Sequence, residues 1–170
     1  RSVRTALARV AELREDGYRF LVRADIDDFF DRVAHDLVLA RWRRLGFGAE
    51  VDGLIASWLA AEVYDGSKIV RLRRGLPQGA VVSPMLANLV LDQFDEHLAL
   101  FGQKAVRYAD DFAILCRTPS EAEDALELTE YLLAELRLAL NTEKSLVTSF
   151  DQGFGFLGVI FQGDAIYLPF

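Results

Sequence analysis

The sequence predicts an α+β fold in which an antiparallel sheet is packed on one side by helices. Its apolar runs return as hairpins instead of alternating regularly with helices, and the segments between them show helical periodicity. At 170 residues, of which 52% are hydrophobic, the chain is long enough to build one core. No repeat or linker divides the sequence, so we predict a single domain over residues 1–170.

Composition excludes several kinds of protein. A single cysteine and two histidines leave no disulfide or ordinary zinc cluster, so a bound metal would need oxygen ligands. The net charge of −7 argues against nucleic-acid binding by bulk attraction, although basic residues cluster at 41–44 and 68–74. The longest apolar stretch, 80–91, is too short to cross a bilayer, so we expect a cytoplasmic protein without a membrane partner.

The first half of the chain contains helices and short strands in irregular order. Leu7, Val10 and Leu13 form one helical stripe, and the apolar strand that follows ends at Asp25. The predicted elements are a helix over 4–14, a strand over 18–24, helices over 36–45 and 51–63, a turn at Asp65–Gly66, a strand over 68–72 and a loop over 75–79. The first residue is Arg1, without a methionine, so we expect a part of a longer protein.

The second half returns repeatedly as hairpins. Ser83 and Pro84 have the capping and first-turn chemistry of a long apolar helix. Two apolar runs then meet at the acidic pair Asp110–Asp111, which indicates a hairpin with carboxylates at its tip. The remaining predicted elements are the hairpin strands 104–108 and 112–116, a helix over 120–138, and strands over 146–150, 154–161 and 165–168.

Carboxylates at two strand ends are candidate metal ligands. Asp25 and the pair Asp110–Asp111 lie beside apolar neighbours, where a charge is costly unless a cation satisfies it. Mg²⁺ prefers oxygen ligands, and two such ions can promote phosphoryl transfer. Judged from the residues alone, ordinary turn chemistry is the competing interpretation of the acidic pair.

Five motifs, in order, resemble those of a known family. Arg-Tyr-Ala-Asp-Asp-Phe at 107–112 looks like the YADD box of bacterial reverse transcriptases. Residues 75–79 followed by 83–88 are similar to that family's PQG…SP…N segment. The other three resemblances are Asp25-Ile26 with Phe29-Phe30-Asp31, Glu143-Lys144, and Phe156-Leu157-Gly158. The match is best to the group II intron-like lineage, which includes CRISPR-associated reverse transcriptases.

The resemblance implies the palm of an RNA-directed DNA polymerase. Its substrates would be an RNA template, a DNA primer and a dNTP, and the primer 3′-hydroxyl would attack the α-phosphate. Two Mg²⁺ ions, with Mn²⁺ as a substitute, would be held by Asp25, Asp110, Asp111 and the backbone carbonyl of Ile26. Adjacent residues project differently, so we expect Asp110 to be the direct ligand ahead of Asp111.

The resemblance also assigns residues around the metals. Lys144 would lie near the leaving pyrophosphate, Phe30 would reject a 2′-hydroxyl, Gln78 would contact the incoming nucleotide, and Phe156, Leu157 and Gly158 would hold the primer end. All of these residues except Gln78 also have a plainer interpretation. Lys144 can be a solvated lysine, Phe30 a core side chain beside Phe29, and the last three an ordinary apolar strand.

Fingers and thumb segments would lie outside these residues, so we expect the 170-residue chain alone to extend a primer weakly or not at all. A different hypothesis is a catalytically inactive palm that serves as a nucleic-acid-binding or scaffold module of a larger protein. A receiver-type phosphoacceptor domain also gathers acidic residues and a lysine around Mg²⁺. Its regularly alternating parallel βα pattern conflicts with the predicted hairpins.

Overall fold

The computed structural model describes residues 2–64 and 66–169 and contains helices and short strands in mixed order. The helices are α1 (Val3–Glu15), α2 (Phe29–Arg32), α3 (His35–Arg44), α4 (Ala49–Leu59), α5 (Ser83–Leu100) and α6 (Pro119–Glu135). The strands are β1 (Phe20–Asp25), β2 (Glu62–Tyr64), β3 (Ile69–Arg71), β4 (Lys104–Tyr108), β5 (Asp111–Cys116), β6 (Leu146–Ser149), β7 (Phe154–Phe156), β8 (Val159–Gln162) and β9 (Ala165–Tyr167). Among these described residues, no helix has the length and apolar character that a membrane crossing requires.

A four-stranded antiparallel sheet lies at the centre, in the order β4-β5-β1-β6. The hairpin of β4 and β5 was predicted from the two apolar runs and is confirmed. Strand β1 is interior and pairs with β5 from Phe20 opposite Cys116 to Asp25 opposite Asp111. This register brings two acidic residues to the same end of the sheet although they lie far apart in the sequence.

One face of the sheet carries the larger core. Ala24 and Phe112 point from β1 and β5 into a cluster that includes Leu91 and Phe94 of α5 and Leu133 of α6. The rings of Phe94 and Phe112 meet edge to face with centroids 5.3 Å apart, a favourable aromatic geometry. The helix layer expected on one side of the sheet is therefore present.

The opposite face is covered as well, by α1 and by a three-stranded sheet in the order β7-β8-β9. Val10 of α1 and Phe161 of β8 belong to one cluster with Leu21 of β1 and Leu115 of β5. Both faces of β1 and β5 are thus buried along most of their length, which explains why β1 is apolar over 20–22 and β5 over 112–116. Arg23 and Asp25 continue this second face toward the end of β1, because alternate residues of a strand share a face.

Three predicted boundaries were wrong. The helix expected over 51–63 ends at Leu59, since 62–64 forms a hairpin with 69–71, and Asp65 of the predicted turn lies outside the described residues. The helix expected to reach residue 138 ends at Glu135. The strand expected over 154–161 is divided by a turn at Leu157–Gly158, where φ is 49° and 82°.

The start of α5 also differs from the expectation. Ser83 is the first helical residue and Val82 occupies the N-cap position without a side-chain hydrogen bond. The Ser83 hydroxyl donates instead to the Pro77 carbonyl at 2.7 Å. Ser83 therefore ties the preceding loop to the helix and does not cap the helix.

Burial protects the cysteine of the chain. Cys116 lies in β5 beneath the helix layer, and burial, aided by the nearby charge of Glu121, raises the pKa of its thiol to about 12. Because the thiolate is the reactive species, native protein at pH 8 should resist iodoacetamide, whereas protein in denaturant should be labelled fully. Mass spectrometry of the two samples is the measurement, and rapid labelling of the native sample would contradict the burial.

Candidate active site

Two carboxylates face each other at one end of the sheet. Asp25 ends β1, Asp111 begins β5, and the two residues are direct cross-strand partners. Such partners place their Cβ atoms only about 5 Å apart on one face, so like charges there destabilise the sheet. Their side chains are 15% and 23% exposed, so water screens this repulsion incompletely. The register therefore creates a site that attracts cations.

Two basic side chains lie against this pair. The Lys144 ammonium is 3.1 Å from Oδ2 of Asp25, and the Arg23 guanidinium is 3.8 Å from Oδ1 of Asp111. Arg23 also donates to the Lys144 carbonyl at 2.8 Å, which fixes the backbone of the lysine beside the sheet. Lys144 is largely exposed, so its side chain has space to move when another cation or an anion enters.

Asp111 is held in an environment that disfavours its charge. Its Oδ1 is buried and has no hydrogen-bond partner among the described residues, since 3.8 Å to Arg23 exceeds hydrogen-bond distance. Burial raises the pKa of Asp111 above its ordinary value, and the charges of Asp25 and Asp110 add to the rise. Arg23 and the Leu157 backbone oppose the shift without cancelling it.

These pKa effects predict a pH-dependent cost. A carboxyl whose pKa is raised by folding binds more protons when folded, so its contribution to stability falls as pH rises above about 4. Asp111→Asn removes this cost. With chelator present and no added metal, the Tm of the variant should equal that of the wild-type protein at pH 4 and exceed it at pH 7. A difference in Tm that does not grow with pH would contradict the prediction.

Asp110 occupies the turn between the two hairpin strands. Within the described ranges, its half-buried side chain makes no hydrogen bond or ion pair, so its oxygens are available to an external cation. The same described residues contain no group of three or more His, Cys, Asp or Glu already close enough to hold a metal. Asp25, Asp110 and Asp111 are nevertheless oxygen donors of the type Mg²⁺ prefers, and the orphaned Asp111 oxygen fits such an ion.

The turn itself is strained. Ala109 has a φ of 56°, in the left-handed region that costs a residue other than glycine about 1–2 kcal/mol. Its carbonyl accepts a hydrogen bond from Arg107 at 2.8 Å, and Arg107 is also bound to Asp95 and Asn88 of α5. Sequence reasoning included Arg107 in a motif but assigned it no role. The acidic residue seven positions after Asn88 on the same helix face was the available signal.

Phe30 lies beside this turn. It packs edge to face on buried Phe29 at 5.4 Å and lines a pocket of about 630 Å³ together with Ala109 and Asn88. The half-buried ring therefore contacts the core and an open space at once. Both expectations for Phe30, core packing and a ligand-facing surface, are compatible with this placement.

Two backbone hydrogen bonds join the loop over 75–79 to the segment that carries Phe30. The Leu76 amide donates to the Phe30 carbonyl at 2.6 Å, and the Gly75 amide donates to the Val33 carbonyl at 2.7 Å. Gln78, three residues further along, is exposed. The loop that carries Gln78 is therefore anchored to the Phe30 segment at Gly75 and Leu76.

The acidic neighbours of Asp25 have other partners. Arg32 pairs with Asp27 at 2.6 Å and lies 3.8 Å from Asp28, so both carboxylates already have a cationic partner. Ile26 is buried, and its backbone bridge to Leu140 uses the carbonyl of Asp25 and the amide of Asp27. The Ile26 carbonyl is thus left out of that bridge.

The turn after β7 reaches the same site. Leu157 and Gly158 form the two-residue turn of the β7–β8 hairpin, and the Leu157 backbone lies close enough to Asp111 to lower its pKa. Phe156 is buried in the second cluster and anchors this turn. A Cβ at Gly158 would meet no atom within 4 Å, so its backbone is open to a ligand.

Carboxylates at the ends of adjacent antiparallel strands, backed by two long helices, define the palm of a polymerase. A model of the family described as reverse transcriptase (RNA-dependent DNA polymerase) matches residues 2–161. This chain therefore belongs to the reverse transcriptase family. The family generally uses divalent metal ions.

Curated relatives agree with this assignment. The chain is 26% identical to Protein YkfC of Escherichia coli K12, covering 92% of this chain and 50% of that protein. It is 27% identical to the retron Ec86 reverse transcriptase of Escherichia coli, covering 78% and 39%. It is 31% identical to the group II intron-encoded protein LtrA of Lactococcus lactis, covering 56% and 16%. The chain thus spans half or less of the length of these relatives.

Solved structures share the fold. A telomerase from Candida tropicalis, truncated from its C-terminal domain, superposes with a TM-score of 0.73 at 12% identity, covering 97% of this chain and 39% of that one. A telomerase from Candida albicans in complex with a fragment of telomeric RNA gives 0.71 at 16% identity, covering 98% and 35%. At these identities the likeness establishes the fold alone.

Proposed function

We propose that this chain is the palm of an RNA-directed DNA polymerase that works with fingers and thumb segments elsewhere in its parent protein. It would join a dNTP to a primer 3′-hydroxyl on an RNA template, forming a phosphodiester bond and releasing pyrophosphate. The observation that carries the proposal is the register that sets Asp25 opposite Asp111, with Asp110 in the adjoining turn. Family membership supports the same reaction.

The three aspartates would hold two Mg²⁺ ions, with the Ile26 carbonyl as a further ligand. Bound divalent ions would stabilise the attacking and leaving oxygens of the in-line displacement. Asp110, which lacks a side-chain partner within the described residues, would be the readiest ligand, while Asp111 is restrained beside Arg23. The bound cations that the reaction needs would then offset the repulsion between the carboxylates.

The other side chains would bind and orient substrates. Lys144, beside Asp25 and largely exposed, would turn toward the leaving pyrophosphate to neutralise its charge or donate a proton. Gln78 would contact the incoming nucleotide from the loop that is bonded to the Phe30 segment. Phe156, Leu157 and Gly158 would hold the primer end, because their turn reaches Asp111.

The test uses the full-length parent protein with a primed RNA template, the four dNTPs and Mg²⁺. We expect elongated primers, no product with chelator, and recovery when Mg²⁺ or Mn²⁺ is restored. Binding of the primed template without elongation in either metal would favour a catalytically inactive scaffold. Failure to bind nucleic acid would contradict the polymerase function and leave only the scaffold module.

Phe30 provides a test of sugar selection. If its ring excludes a 2′-hydroxyl, Phe30→Ala should raise kcat/KM for ribonucleotides relative to dNTPs by about 10- to 100-fold. Phe101→Ala is the matched control, because that ring is 62% exposed after α5 and outside the pocket. If the ratio of kcat/KM values is unchanged in the Phe30 variant, Phe30 has a purely structural role.

A further inference from the structure

A buried arginine lies in β4, three residues before Asp110 of the β4–β5 turn. Arg107, in β4, is only 7% exposed and donates four hydrogen bonds. Its Nε and Nη2 bind both oxygens of Asp95 at 2.8 and 2.6 Å, in the bidentate geometry that gives arginine–carboxylate pairs their directional strength. Its Nη1 binds Asn88 and the carbonyl of Ala109 at 2.9 and 2.8 Å.

The α5 side chains that bind Arg107 lie on one face of the helix, and one of them is held by a further hydrogen bond. Asn88 and Asp95 are two turns apart on α5, so both face β4. The Asn88 amide nitrogen donates to the Pro84 carbonyl at 2.9 Å, which points its oxygen at Arg107. Arg107 is thus fixed at three nitrogens to α5, the helix that follows the loop over 75–79.

On the strand side, the network binds the turn between β4 and β5, which carries Asp110. Tyr108 pairs with Asp111, so the connection contains only Ala109 and Asp110. Ala109 adopts a φ of 56°, which alanine does not favour, so the conformation requires support from outside the turn. The hydrogen bond from Arg107 to the Ala109 carbonyl supplies that support directly before Asp110.

We propose that Arg107 is a positioning residue that locks the Ala109–Asp110 turn to α5 and so sets where the Asp110 carboxylate lies. Its kinetic consequence rests on the proposed polymerase function. A lysine retains the charge but lacks the planar fork, so it cannot bind both Asp95 oxygens and reach Asn88 and Ala109 together. The arrangement therefore specifies arginine and not merely a buried positive charge.

The experiment compares Arg107→Lys with the wild-type parent protein. Because a small misplacement of a reacting group has a large kinetic effect, kcat for RNA-templated extension should fall about 10- to 100-fold while KM for dNTP stays within about threefold. Hydrogen exchange should accelerate at residues 108–111 and not across the remaining sheet. The matched control is Arg137→Lys, which breaks an equally bidentate but exposed pair with Asp36 at 3.1 and 2.8 Å and should leave both readouts unchanged.

Three outcomes would overturn the proposal. They are wild-type kcat in Arg107→Lys, unchanged exchange at the turn, and a loss of activity that merely follows a lower folded fraction with exchange raised throughout the sheet. A wild-type parent that never extends a primer would instead contradict the proposed function. Exchange at residues 108–111 would then decide the role of Arg107 alone, with local acceleration supporting it and no change refuting it.

Discussion

Asp110→Asn should lower the rate of RNA-templated primer extension by the parent protein about 100- to 1,000-fold, the usual effect of removing one group that stabilises transition-state charge. An amide has nearly the shape of the carboxylate but carries no charge to hold a divalent cation. Asp110 makes no side-chain hydrogen bond or ion pair within the described residues, so the fold should survive the change. Single-turnover kinetics and a melting curve together measure the two effects.

The control for this variant is Asp164→Asn, which removes an exposed carboxylate paired with Arg19 at 3.3 Å, remote from the sheet end. It should extend primers at the wild-type rate. Asp111→Asn should lose activity less severely than Asp110→Asn if Asp110 is the direct ligand. Near-normal extension by Asp110→Asn would remove the central residue of the proposed mechanism.

Gly75→Ala should produce the second large effect, a loss of stability of roughly 2–4 kcal/mol, or a fall in Tm of roughly 4–16 °C. Gly75 has a φ of 87°, and an added Cβ would lie 2.8 Å from the carbonyl oxygen of Asp31. The loop would have to leave the Phe30 segment, breaking the bonds from Gly75 to Val33 and from Leu76 to Phe30. Affinity for dNTP should fall together with Tm.

Gly46→Ala separates the two causes of strain in this prediction. Gly46 also has a positive φ, 73°, but no atom lies within 4 Å of the position that its Cβ would take. It should therefore lose only about 1–2 kcal/mol. Equal losses in the two variants would mean that the contact with Asp31 carries no cost.

Local patterns in the sequence were sufficient to predict much of the fold. The apolar runs on either side of Asp110–Asp111 predicted the central hairpin, and Ser83–Pro84 at the start of an apolar segment predicted the long helix. The antiparallel α+β class was confirmed by the sheet order and by the family match. The roles of the site residues stay predictions, because geometry alone measures no activity.

Other features depended on contacts that a single sequence does not reveal. Val63 fits a helical period, yet it pairs across a hairpin with Val70. Leu157 adopts a positive φ that its side chain gives no reason to expect, so the strand around it was predicted to continue. The support of Arg107 by Asp95 joins two elements through long side chains, which periodicity cannot place.

The pairing of β1 has a consequence for synthesis of the protein. Its partners β5 and β6 are synthesised long after it, since Leu21 pairs with Leu115 on one side and with Thr148 on the other. At ordinary translation speed, β1 remains an unpaired apolar strand for on the order of 10 s. During that interval it is exposed to aggregation, so a nascent chain stalled with residues 111–149 still inside the ribosome should recruit chaperones more strongly than one stalled after those residues have emerged.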